Sequence, residues 1–147
     1  MSPMDKRKEQ QVWQRVMRSK PELPHGGIRS LRRESAALVG AYRQLMNTLS
    51  GKPGELAGAL FREETATSAS LRGLEVLRGE DGGKLKPISP SQEPPLRLLR
   101  SCYHRTRSCA AEYTARTVDP ETGMVFRYLA DRAQQQCSRI AELMGLL

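Results

Sequence analysis

The sequence lacks long apolar runs. No stretch approaches the roughly 20 consecutive apolar residues that a membrane-spanning helix needs. Its first 20 residues are charged throughout and have no apolar centre of the kind a secretory signal peptide requires. We therefore expect a cytoplasmic protein without a transmembrane segment.

Cysteine and histidine are also scarce, with three and two residues respectively. Cys102, Cys109 and Cys137 form no C-x-x-C pair, and their odd number argues against a disulfide framework. His25 and His104 are the only imidazoles. A zinc site of the cysteine/histidine type is therefore not expected. We predict reduced, packed thiols and a surface position for His104.

Aromatic residues make up only 5% of the chain, and runs of β-branched residues of strand length are absent. Leu, Ala, Arg, Glu and Gln dominate instead, which favours helices. A chain of 147 residues can enclose one ordinary hydrophobic core. The composition therefore predicts a single all-α domain.

Positive charge exceeds negative charge, with 24 Lys and Arg against 16 Asp and Glu and a net charge of +8. Such a balance favours acidic partners, including nucleic acid. Basic residues gather on the third and first predicted helices (Arg97, Arg100, Arg105, Arg107, Arg116; Arg29, Arg32, Arg33). Because no aromatic stacking platform or nucleic-acid motif accompanies them, nucleic-acid binding is the weaker interpretation and a solvated or interface surface the stronger.

Proline and glycine divide the chain into an N-terminal segment, residues 1–27, and a bundle, residues 28–147. Residues 5–19 predict a short amphipathic helix with Val12, Trp13, Val16 and Met17 on one face. The first three bundle helices are predicted over about 28–49, 55–78 and 96–117, with a tight connection at 51–54. Residues 118–121 predict a turn that leads into a fourth helix, with Pro120 at its first turn, and this helix continues to about 147.

The lengths of the connections predict the topology. Short loops make the first two helices antiparallel neighbours, and likewise the last two. The link over about 79–95 is long and rich in Gly and Pro, as a crossover between two hairpins would be. The halves also repeat: Tyr42 aligns with Tyr113 and Leu60 with Leu129, and Leu71 and Leu74 align with Ile140 and Leu143.

Polar or small residues interrupt the apolar seam near the middle of each helix. The first and third helices have one interruption each, Ser35 and Thr106. The second and fourth have two, Glu64 with Thr67 and Ala133 with Gln136, at a spacing of i, i+3. Di-metal carboxylate bundles use this plan, with one Glu from each of two helices and Glu-x-x-His from each of the other two.

These features resemble the ferritin-like, rubrerythrin-related proteins over about residues 28–147. The resemblance lies in helix layout and in these residues: Tyr42, Arg62-Glu63-Glu64-Thr65-Ala66-Thr67, Leu71, Tyr113 and Phe126-Arg127-Tyr128-Leu129-Ala130. It implies a ferritin-like four-helix bundle of two hairpins joined by a long crossover, preceded by the short amphipathic helix.

The resemblance also implies that the di-metal site has been lost. Ser35 and Thr106 stand at the single-Glu positions, and Thr67 and Gln136 stand at the histidine positions. Ala133 replaces the second Glu-x-x-His acid, so that only Glu64 keeps a ligand. We expect no metal, cofactor or catalytic residue there, and a polar network around Glu64.

Two functions follow. The first is a non-catalytic module that acts through oligomerisation, as a dimer, or through partner binding, with Val12, Trp13, Val16 and Met17 as possible partner contacts. The alternative is a residual iron or manganese oxidoreductase, or an iron-binding protein, in which Glu34, Asp131 or a cysteine joins Glu64.

Overall fold

A computed structural model describes residues 27–80 and 83–147 of the chain. Over these residues the fold is all-α and contains no strand, as predicted. The four helices are α1 (Ile28–Thr48), α2 (Gly51–Leu77), α3 (Pro95–Ala115) and α4 (Gly123–Gly145), with a 3-10 turn at Arg116–Val118. None of them is long and apolar enough to cross a membrane. The N-terminal segment, with Val12, Trp13, Val16 and Met17, lies outside the described residues.

Two predicted boundaries were wrong. α2 begins at Gly51, so residues 51–54 are its first turn and not a separate connection. Pro53 fits there because the first amide groups of a helix have no intrahelical acceptor. Gly51 has a φ of 63°, which favours glycine at this entry. α4 begins at Gly123, after a turn that contains Pro120.

The crossover follows α1 along its length. Arg32, near the start of α1, donates from Nη1 to the carbonyl of Gly83 at 3.1 Å. Near its end, the Gln44 amide donates to the Ser91 carbonyl at 2.8 Å and accepts from the Ser91 N–H at 3.0 Å. The third helix therefore starts beside the end of α1, antiparallel to α1 and parallel to α2.

Each hairpin packs tightly within itself, α1 on α2 and α3 on α4. The hairpins meet where α1 contacts α3 and α2 contacts α4, so that the other two pairs are the diagonals of the bundle. The result is a four-helix bundle with one long crossover.

The core has two parts, one toward each end of the bundle. The Phe126 cluster contains Ile28, Leu31, Leu71, Leu74, Cys109, Ala110, Tyr113, Phe126, Leu129, Ala130 and Ala133. The Tyr42 cluster contains Leu38, Tyr42, Leu45, Ala57, Leu60, Leu98, Leu99, Cys102, Ile140 and Leu143. Most seam positions predicted from the helical period are buried here. Three further seam residues, Leu49, Leu56 and Tyr103, are partly buried against the Tyr42 cluster, and Leu96 is 47% exposed.

The internal repeat has a geometric meaning. Tyr42 lies in one cluster and its aligned partner Tyr113 in the other, and the pair Leu60 and Leu129 is divided in the same way. Such an exchange is expected when the two hairpins are related by an approximate two-fold axis through the middle of the bundle.

Candidate functional site

A polar layer separates the two core clusters. The six positions singled out by the seam interruptions are all buried, with at most 3% exposure (Ser35, Glu64, Thr67, Thr106, Ala133, Gln136). Each helix contributes to this central layer, which here means the five polar members, Ser35, Glu64, Thr67, Thr106 and Gln136. The seam interruptions that the sequence predicts are therefore buried positions between the two clusters.

Glu64 is the carboxyl group of the central layer. Burial raises its pKa from 4.5 to about 7, while a hydrogen bond from Ser35 and the nearby Arg132 cation act in the opposite direction. The Ser35 and Ser68 hydroxyl oxygens are 2.6 Å apart. Either hydroxyl can be the donor in this bond. The chain of bonds connects Glu64 to the half-buried Ser68 on its own helix.

The other hydroxyls of the central layer are held by neighbouring groups. The Tyr42 hydroxyl and Thr106 Oγ1 are 3.2 Å apart, so the Tyr42 hydroxyl has a partner as predicted. Burial raises the pKa of Tyr42 well above its usual value. Thr67 Oγ1 donates to the Glu63 carbonyl at 3.2 Å and accepts from Arg132 Nη1 at 3.1 Å. Tyr113 is also a core residue, but its hydroxyl has no hydrogen-bond partner among the described residues, so the expectation of a satisfied hydroxyl is met at Tyr42 and is wrong at Tyr113.

Two buried atoms of the central layer have no hydrogen-bond partner among the residues that the structure describes. They are Glu64 Oε2 and Gln136 Nε2. The Gln136 amide nitrogen therefore does not donate to Glu64, which leaves the hydroxyls as the donors in the predicted polar network. Burying an unpaired ionised oxygen costs more than burying a neutral carboxyl group, which agrees with the raised pKa of Glu64.

The donor set does not fit a di-metal centre. Two divalent cations need several carboxylates or imidazoles, whereas the central layer offers one carboxyl, one amide and three hydroxyls. Glu34 lies at the surface, where it pairs with Arg105 at 3.7 Å, and Asp131 is exposed. Neither acid joins Glu64. Among the described residues, no group of three His, Cys, Asp or Glu could hold a metal ion.

The cysteines do not supply a ligand or a nucleophile to this layer. All three are free; Cys102 and Cys109 are buried and Cys137 is partly buried, as the packed-thiol prediction expected. Burial raises the pKa of Cys102 and of Cys109 to about 12, so both remain thiols at neutral pH. His104 is exposed, as predicted.

A buried ion cluster was missed by the sequence analysis. Glu75, only 1% exposed, accepts from Arg32 at 2.8 Å and from Arg29 at 3.3 Å.

Arg116 is buried with its guanidinium over the Phe126 ring, 5.5 Å from the centroid. The predicted basic surface is therefore wrong for Arg32 and Arg116. One feature of the sequence does indicate that Arg32 is buried. It lies between two seam residues of the first helix, Leu31 and Ser35, in a helix predicted to pack against its neighbour as an antiparallel hairpin.

No family model matches the chain, and no curated protein or solved structure was found that is similar to it. The function therefore has to be argued from the chain's own residues. Chemically, the central layer can bind and release one proton at Glu64 and can order its hydroxyls. The described groups offer no activated nucleophile and no anionic cage beside it.

Proposed function

We propose that this chain is a ferritin-like four-helix bundle whose di-metal site has become a neutral polar layer, and that it acts by binding a second copy or another protein. The observation that carries this proposal is the central layer. Its residues come from all four helices and have the spacing that the ligands of a di-metal centre have. Their side chains, however, are three hydroxyls, one amide and one carboxyl group.

The topology supports the ferritin-like part of the proposal. One long crossover makes α2 parallel to α3, and the divided repeat pairs are those expected of a two-fold plan around a central site. Glu64 and Thr67 occupy one Glu-x-x-His position, and Ala133 and Gln136 occupy its symmetry-related counterpart.

The chemistry of the interior supports a role in binding more than one in catalysis. Glu34 and Asp131, the acids that could rebuild a site, are turned toward solvent or a surface arginine. Nucleic-acid binding has less support than partner binding, because Arg32 and Arg116 are buried and Arg29 pairs with the buried Glu75. A partner would therefore bind to the surface of the bundle.

The proposal is tested on the full chain, produced with added iron and manganese and purified without chelator. Metal content is measured by mass spectrometry, and molar mass by light scattering over a range of concentrations. We expect well below one metal ion per chain and a dimer. Close to two metal ions per chain, with oxygen- or peroxide-dependent oxidation, would contradict the proposal. A metal-free monomer would remove the second copy and leave another protein as the partner.

A further inference from the structure

The crossover encloses a cavity against α1 and α3. The cavity has a volume of about 540 Å³ and is lined by residues of all three elements. Small-molecule sites in proteins are cavities of roughly 300–1,000 Å³ with mostly apolar walls and a few polar groups at fixed places. The size of this cavity is therefore that of a site for a small molecule.

Small residues of α1 create the space beneath the crossover. Three of them share one face of the helix by their spacing and line the cavity: Ala37, Gly40 and Ala41. A Cβ at Gly40 would have nothing within 4 Å. The crossover is attached to α1 by the bonds between Gln44 and Ser91, while Ile88, which also lines the cavity, is 51% exposed. The crossover therefore passes over this face of α1 without filling it.

The inner wall of the cavity is apolar and belongs to α3. Leu98 and Cys102 line it and are only 6% and 2% exposed, so they form its buried side. Along α1 the lining extends from Ala37 to Asn47, which corresponds to about 15 Å of helix. An elongated cavity of this kind fits an extended chain better than a compact ring system.

Arg105 places a cation at one end of the cavity. It lies about 15 Å along α3 from the start of that helix, whereas Glu93, the acid among the lining residues, lies just before the start. The pair between Arg105 and Glu34 is 3.7 Å long and half-exposed, so it contributes little and leaves the guanidinium able to turn to an anion. Arg43, the second lining cation, lies over the Phe61 ring of α2.

We propose that this cavity binds a small amphipathic anion, a linear apolar chain that ends in a carboxylate. The chain lies along α1 beneath the crossover, where it covers the apolar wall, and the carboxylate lies at Arg105. Arginine binds carboxylates through two parallel hydrogen bonds, and burial of the chain removes apolar surface from water. None of the five residues of the central layer lines this cavity, so the inference goes beyond the proposed function and does not depend on it.

The probe is decanoate, titrated into the full chain and followed by calorimetry. Gly40→Leu fills the cavity from α1, and its control is Gly73→Leu, at an equally open glycine of α2 that does not line the cavity. Arg105→Gln removes the cation, and its control is Arg100→Gln, which removes an exposed charge of α3 outside the cavity. Circular dichroism verifies that all four variants keep the helical fold.

We expect one decanoate per chain, with saturation below the concentration at which decanoate forms micelles. Gly40→Leu and Arg105→Gln should each weaken binding by about tenfold or more, and the two controls should match the wild type. Decyltrimethylammonium, which has the same chain and the opposite charge, should bind much more weakly than decanoate.

Four results would overturn the proposal. They are no binding to the folded wild type, binding of many molecules without saturation, equal affinity for the two head groups, and an affinity that either cavity variant leaves unchanged. Metal content and molar mass, measured without decanoate, report separately on the proposed function.

Discussion

Glu64 is a carboxyl group enclosed between two apolar clusters, and its protonation depends on that position. Burial favours the neutral acid, while the Ser35 hydrogen bond and the Arg132 cation favour the anion. Burial has the larger effect, because the pKa rises from 4.5 to about 7. A group whose pKa is higher in the folded than in the unfolded chain stabilises the fold fully below its unfolded value and loses that contribution as the pH rises through the folded value.

The Glu64→Gln substitution tests this directly. The wild type should lose stability between pH 4.5 and about 7 because Glu64 must then be ionised inside the core. The shift corresponds to a loss on the order of 3 kcal/mol. Glutamine cannot ionise, so the variant should lack this part of the pH dependence. Urea unfolding across that pH range measures the difference.

Glu142→Gln serves as the control, since Glu142 is half-exposed and its ion pair with Lys52 is 3.9 Å long. That variant should follow the wild-type pH profile closely. If Glu64→Gln instead lost most of its stability at every pH, Glu64 would be needed as an anion and the neutral layer would be wrong.

The residues of the central layer were predictable because a helical period of 3.6 assigns every interrupted seam position to the interior. The partners of those residues were not. Ser68, which bonds Ser35, and Arg132, which bonds Thr67, lie off the seam, and their side chains reach inward. Side-chain reach depends on rotamers and on neighbouring helices, which spacing along one helix does not specify.

Among the elements, the α1–α2 hairpin carries the buried ion cluster. Glu75 bonds Arg32 and Arg29, and both arginines also bond carbonyls at the start of the crossover, those of Gly83 and Lys84. One carboxylate thus joins two helices and the crossover. We expect this carboxylate to favour one arrangement of the two helices and the crossover. Removing Glu75 would leave the charge of the buried Arg32 uncompensated.

Glu75→Ala is expected to destabilise the fold by about 3–5 kcal/mol because Arg32 would remain buried without a counter-ion. Glu142→Ala, which breaks the exposed pair with Lys52, should cost less than about 1 kcal/mol. Chemical unfolding at neutral pH measures both. Equal costs for the two substitutions would mean that the Glu75 cluster contributes no more than a surface pair.

Two glycines in helices should respond to alanine in opposite directions. A Cβ at Gly123 would lie 2.3 Å from the Thr117 carbonyl oxygen, so Gly123→Ala should cost about 1–3 kcal/mol. Gly73 lies inside α2 with nothing within 4 Å of a Cβ, so Gly73→Ala should stabilise by about 0.5–1 kcal/mol. Thermal unfolding gives both signs, and a stabilising Gly123→Ala would contradict the close approach at the start of α4.

The helices themselves were predictable from period and composition, but two of their starts were not. Residues 51–54 contain two glycines and a proline, which indicate a turn as readily as a first helical turn. Pro120 was assigned to the first turn of α4, yet the Asp119 side chain accepts from the Glu121 N–H and stabilises a preceding turn. Local sequence leaves these choices open, and tertiary packing decides them.

For the whole molecule, the crossover determines how the two hairpins combine. Its length and its glycines and prolines predicted a long return between them, and that part was correct. Its path along α1 depends on the Gln44 amide at Ser91 and on Arg32 at Gly83, contacts between residues far apart in the chain. With α2 and α3 parallel, the two members of each aligned pair, such as Tyr42 and Tyr113, lie on opposite sides of one central layer.

The central claim is that this layer is a di-metal scaffold without its ligands, and restoring them tests it most directly. The variant keeps Glu64 and carries Ser35→Glu, Thr67→His, Thr106→Glu, Ala133→Glu and Gln136→His. Titration with Co²⁺, followed by visible absorption and by native mass spectrometry, counts the ions bound to this variant and to the wild type, after circular dichroism has verified that both are folded.

The proposed geometry predicts about two ions per chain for the restored variant, as in di-metal carboxylate bundles, and well below one for the wild type. A folded restored variant that binds no Co²⁺ would contradict the claim, because the six positions would then not converge as a di-metal site requires. Two ions bound to the wild type would contradict it from the other side, since Glu64 and its neutral neighbours would already suffice.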